Sequence, residues 1–89
     1  MSTHHTHPDI VKRLKRANGH LNKIITMIEE ERPCVEVAQQ MQAVYSAIGS
    51  AKRVFIEDHI SGCLDVDSLA DSKTARESVK SFKEITKYL

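Results

Sequence analysis

Proline occurs only at Pro8 and Pro33 in this chain, and that spacing constrains the fold more than any other feature. Proline lacks a backbone N–H and clashes with the preceding turn, so it breaks helices except in their first turn. Two prolines therefore read as two helix starts, each followed by a long stretch with nothing to stop it. Behind Pro8 the apolar residues Ile10, Val11, Leu14, Ala17, Leu21, Ile24, Ile25 and Ile28 recur at steps of three and four, the periodicity of an amphipathic helix. Gly19 interrupts this pattern at a cost near 1 kcal/mol relative to alanine; close approach of another helix would account for it. The run Glu29-Glu30-Glu31-Arg32 closes the first helix.

Behind Pro33 a second pattern runs through Val37, Met41, Val44, Ile48, Ala51, Phe55, His59 and Cys63, close to a heptad. A single helix over this stretch is roughly 42 Å long at 1.5 Å rise per residue. An 89-residue chain with four aromatic side chains has a thin core and cannot cover such a helix alone. Association with a second copy is the expected remedy. Gly62, Cys63 and the segment Asp65–Ser68 read as a helix end and a turn. A third helix follows, with a capping-box spacing at Thr74–Glu77 or a cap at Asp71 or Ser72 instead, and an apolar stripe at Val79, Phe82, Ile85 and Leu89. Strict alternation is absent, so no strand is expected. The expectation is an all-α, three-helix protomer, with residues 1–8 a flexible His-rich tail and 9–89 a single domain.

No stretch is long and apolar enough to span a bilayer, and no secretory signal opens the chain. The expected compartment is the cytoplasm, where thiols stay reduced. Cys34 and Cys63 then read as ligands or sensors rather than as a bridge. His59 and Cys63, four apart on one helix, share a face. Cys34 begins the same helix, roughly 43 Å from Cys63 along a straight axis. It joins them only if a second chain packs antiparallel and brings its own Cys34 alongside. Thiolate and imidazole together suit Ni(II), Co(II), Cu(I) or Zn(II) and argue against Mg or Ca. His4, His5 and His7 are further candidate ligands if the tail folds back. On spacing alone the set reads equally well as two small buried cysteines and a polar histidine at a helix end.

The net charge of +1 conceals an uneven distribution. Lys12, Arg13, Lys15, Arg16 and Lys23 fall between the apolar positions of the first helix with no acid among them. Such a stripe is either a solvated face or, repeated in an oligomer, a phosphate-binding surface. There is no helix-turn-helix or zinc-finger spacing. No nucleophile–base–orienter set is present, and so short a chain encloses no large pocket, so an enzyme is not expected.

The stretches RLKRANGHLNKIITMIEEERPC, QQMQAVYSAI and FIEDHISGCL resemble the copper-sensing operon repressor family (CsoR), which includes the nickel/cobalt sensor RcnR and the formaldehyde sensor FrmR. The resemblance covers the chain from about Asp9 to its end. It implies an antiparallel four-helix-bundle dimer of three-helix protomers, a dimer-of-dimers tetramer, and a repressor that releases operator DNA when its ligand binds. Carried over by position, Cys34 is a ligand from one protomer and His59 and Cys63 are ligands from its partner. Lys12, Arg13, Lys15 and Arg16 match the family's DNA-binding positions. Copper sensors carry a Tyr where this chain has Pro33 and a Glu near Val79, and nickel/cobalt sensors recruit an N-terminal His. The expected function is a Ni(II)- or Co(II)-responsive repressor. The alternatives are a repressor responding to Cu(I) or to a thiol-reactive signal such as formaldehyde or a persulfide, and a helical metal-buffering protein with no DNA role.

Overall fold

The computed structural model describes residues 6–63 and 72–89, and at Cys63 and Ser72 the backbone alone. The expected turn at Asp65–Ser68 and the tail residues His4 and His5 lie outside the described residues. Among the described residues three α-helices occur, α1 over His7–Glu29, α2 over Cys34–Cys63 and α3 over Ser72–Ile85, followed by a 3-10 turn at Thr86–Tyr88. No strand occurs among the described residues. None of these helices is long and apolar enough to cross a membrane. The chain divides into two compact units, Pro8–Lys52 and Arg53–Leu89 with the segment up to His7, and α2 runs through both.

In the first unit α1 and the first half of α2 share a core of Ile24, Met27, Val37 and Val44. The turn between them is built by hydrogen bonds rather than by glycine. Arg32 N–H donates to the Met27 carbonyl at 2.9 Å and Glu31 N–H to that of Ile28 at 3.0 Å, the bond pair of a Schellman helix end. Glu31 supplies the left-handed residue, with φ at 56°, a conformation that costs a side-chain-bearing residue about 1–2 kcal/mol. Pro33 then excludes helical backbone at Arg32. Its own carbonyl accepts the Val37 N–H at 3.2 Å, so Cys34 is the first residue of α2.

The apolar stripe of α2 is two stripes. Val37, Val44 and Ala51 are buried, whereas Met41, Ile48 and Phe55 are 54%, 45% and 42% exposed. Residues spaced seven apart stay on one side of a helix. The two sets are therefore adjacent faces, one turned inward and one outward. Helix α1 repeats the division: Ile10, Ala17, Ile24 and Met27 are buried, while Val11, Leu14, Leu21, Ile25 and Ile28 are exposed. Gly19 has nothing within 4 Å of where its Cβ would stand. None of the described residues makes the close approach expected there. Helix α3 opens at Ser72, so Thr74 lies inside it and the expected capping box is not its start.

Candidate metal centre and nucleic-acid interface

Cys34 stands exposed at the opening of α2, and Cys63 is that helix's last residue. Thirty residues of continuous helix separate the two ends, about 45 Å. Among the described residues no three His, Cys, Asp or Glu side chains are placed to hold one metal ion. Cys34 opens α2 and His59 lies in its last turns, so one helix does not bring that thiol to that imidazole. By register Cys34 and His59 fall on one face of α2. Cys34, Met41, Ile48 and Phe55 follow at seven-residue steps, and Tyr45 and His59 fall four residues after Met41 and Phe55. This is the outward, apolar face of α2.

The second unit positions His59. Its Nε2 and the Ser81 hydroxyl of α3 share a hydrogen bond of 2.6 Å. A bond at Nε2 leaves Nδ1 as the ring nitrogen for any metal, the usual division of labour in a ligating histidine. His59 and Ser81 line a cavity of about 500 Å³ with Glu84, Ile85, Lys87 and Tyr88. His7 belongs to the same unit and to the first turn of α1, not to a tail. Its ring stacks on Phe55 with centroids 5.2 Å apart and planes 12° from parallel, and its Nε2 lies 3.5 Å from an Asp58 carboxylate oxygen. An imidazole from the start of the chain thus rests one helical turn from His59. His4 and His5 lie outside the described residues.

The basic residues of α1 divide as well. Lys12, Arg13, Lys15 and Arg16 are all exposed. Lys12, Arg13 and Arg16, with Asp9, Ala17 and His20 of α1 and Ala47 and Ser50 of α2, line a cavity of about 390 Å³. Lys15 is not among its walls. Arg13 donates from Nε to Asp9 at 2.9 Å. His20 Nε2 lies 2.6 Å from the Gln40 side-chain oxygen. An amide oxygen only accepts, so the ring nitrogen donates. His20, Gln40 and Ser50 carried no sequence signal, because they meet across two helices at separations that no helical period records.

Residues 6–89 match the model of a protein family described as metal-sensitive transcriptional repressors. The chain is 43% identical over 53 residues to the copper-sensing transcriptional repressor CsoR of Mycobacterium ulcerans (strain Agy99), a match covering 60% of this chain and 45% of that protein. It thus spans less than half the length of that relative. It is 35% identical over 80 residues to the copper-sensing transcriptional repressor CsoR of Bacillus subtilis (strain 168), covering 88% of this chain and 79% of that one. The structure is similar to that of the nickel-responsive transcriptional regulator InrS, with a TM-score of 0.78, 28% identity, and coverage of 99% and 97% of the two chains.

Proposed function

The chain belongs to the metal-sensitive transcriptional repressor family, and from that premise we propose that it is a repressor that releases operator DNA when Ni(II) or Co(II) binds between two subunits. The observation that carries this reading is the outward face of α2, where Cys34 and His59 lie in one stripe with exposed Met41, Tyr45, Ile48 and Phe55 between them. An exposed apolar stripe that long wants a partner. A second α2 running antiparallel on that face covers the apolar residues and brings the partner's Cys34 to His59 and Cys63. The outer face of α1 extends the same surface, so that two hairpins make a four-helix bundle. Two such dimers would form the tetramer.

Ser81 holds the His59 ring; the partner's Cys34 and this subunit's own Cys63 would supply thiolates, and His7 would be the fourth donor. The stacking of His7 on Phe55 is what favours nickel or cobalt, since both accept four or more nitrogen and sulfur ligands. The second reading, Cu(I), needs only Cys34, His59 and Cys63, and the copper-sensing relatives favour it. In either case the metal must prefer the conformation with low DNA affinity, and DNA must reciprocally weaken the metal. Lys12, Arg13, Lys15 and Arg16 are the cations offered to the phosphates.

The test is a titration of reduced protein with Ni(II), Co(II) and Cu(I), following thiolate charge-transfer absorption and release of the DNA upstream of its own gene together. Nickel or cobalt should produce both signals at one equivalent per subunit. Release by Cu(I) alone would favour the second reading. Binding of each metal with unchanged DNA affinity would leave a metal buffer and end the repressor reading.

A further inference from the structure

The cavity between α1 and the first half of α2 is more than a charged stripe. Its walls carry three permanent cations, Lys12, Arg13 and Arg16, and two further groups, the His20 ring and the Ser50 hydroxyl. Ala17 and Ala47 keep part of the wall free of longer side chains. Its size, about 390 Å³, admits one tetrahedral oxyanion with its hydration. His20 is fixed from behind: Nε2 donates to Gln40 at 2.6 Å. That bond commits the neutral ring to carrying its proton on Nε2, so Nδ1 gains a donor only by taking up a second proton.

We propose that this cavity is a seat for a single phosphate group, with His20 binding as the imidazolium, Ser50 donating a neutral hydrogen bond and Gln40 positioning the ring. In operator binding the occupant is one backbone phosphate, and this part rests on the repressor reading above. The charged groups facing His20 from α1 are Asp9, Lys12, Arg13 and Arg16 in the cavity wall, with Lys23 one turn further along the helix. From α2 the cavity wall has only Ala47 and Ser50. The α2 charge one turn from Gln40 is Glu36, engaged with Arg32 at 2.9 Å. Among the described residues Asp9 is the one acid in the wall, and its bond to Arg13 competes with the phosphate. The seat therefore asks for phosphate against a resident carboxylate, which restrains non-specific binding.

The experiment measures operator affinity of the full-length apo protein against salt concentration at pH 6 and pH 8. For the wild type the salt slope should be steeper at pH 6 by about 0.9 per seat filled, one additional phosphate contact. His20→Gln keeps a hydrogen-bonding side chain without the charge. It should erase the pH difference and weaken binding at pH 6 by roughly 10–150-fold, the loss of one charge-assisted hydrogen bond. Ser50→Ala should weaken binding by about fivefold at both pH values with no change of slope, the loss of one neutral bond. Asp9→Asn should tighten it by about 2–5-fold, the worth of one exposed charge. Thermal midpoints of the free proteins separate these effects from misfolding.

A wild type that binds DNA with equal slopes at both pH values, and variants His20→Gln and Ser50→Ala with wild-type affinity, would overturn the seat and leave the repressor reading standing. If no DNA binds at all, the repressor reading fails. Inorganic tripolyphosphate then tests the seat alone. Shifts of the His20 ring signals that Ser50→Ala weakens would support a site for free phosphates, and an unmoved His20 would overturn it.

Discussion

Replacing Ile48 with cysteine, in a chain carrying Cys34→Ser and Cys63→Ser, reads out how two copies of α2 run. Midway between position 34 and the pair at 59 and 63 lies position 47 or 48. A two-fold axis that brings the partner's Cys34 to His59 and Cys63 therefore passes beside Ile48. The two copies of residue 48 are then offset along the axis by at most about 3 Å. Helices packed 8–10 Å apart with Cα atoms about 2.3 Å from each axis bring facing Cα atoms to the roughly 4.4–6.8 Å that a disulfide spans. Met41 stands on the same exposed face two turns earlier, and its two copies are about 20 Å apart in this arrangement. Oxidation with glutathione disulfide and a non-reducing gel should show a covalent dimer for Ile48→Cys and none for Met41→Cys. Mixing Met41→Cys chains with Phe55→Cys chains should give a dimer, because those positions meet. A parallel pair would link Met41→Cys, Ile48→Cys and Phe55→Cys alike. That pattern, or no dimer at any position, would refute the antiparallel seam.

Glu31→Gly removes the left-handed strain at φ 56° and should stabilise the protein by about 1 kcal/mol after glycine's extra unfolded-state entropy, raising the melting midpoint by roughly 4–8 °C. Gly19→Ala, with open space at its Cβ, should add about 1 kcal/mol; a loss of stability in thermal melts would place another chain against that surface. Ile24→Ala empties a side chain that is 2% exposed and should cost about 2–5 kcal/mol in chemical denaturation. His7→Ala should weaken Ni(II) by more than about tenfold in competition with a chelator, the least expected beside a ligating group, while leaving Cu(I) unchanged. Ni(II) affinity should fall as pH is lowered, since the thiolates and imidazoles must give up their protons to bind; a flat profile would exclude cysteine ligation.

Much of the fold was legible because its signals are local. Proline spacing announced both long helices, and α2 runs through to Cys63 as its uninterrupted pattern requires. The division of its stripe was not legible. Steps of three and four merge two adjacent faces into one list, and only burial separates Val44 from Ile48. Glu31 showed where α1 ends but not how, because a glutamate is not the residue that announces a left-handed backbone. His7 was read with the tail, although Pro8 is well suited to a helix's first turn and α1 begins one residue before it. At the candidate site the sequence offered Cys34, His59 and Cys63 as donors, the set proposed above. It did not name Ser81, which meets His59 from another helix. Nor did it show that Lys12, Arg13 and Arg16 gather around one cavity without Lys15. Each of those facts depends on contacts between residues far apart in the chain.

The sharing of one metal between two subunits is tested most directly by complementation. Chains carrying Cys34→Ser are paired with chains carrying His59→Ala and Cys63→Ser, the mixed dimer is isolated, and thiolate charge-transfer absorption is followed as Ni(II) is added. Each variant alone should be silent. The mixed dimer should recover half the wild-type capacity, because one of its two sites draws its thiol from one chain and its imidazole and second thiol from the other. A mixed dimer as silent as its parents would contradict the shared site.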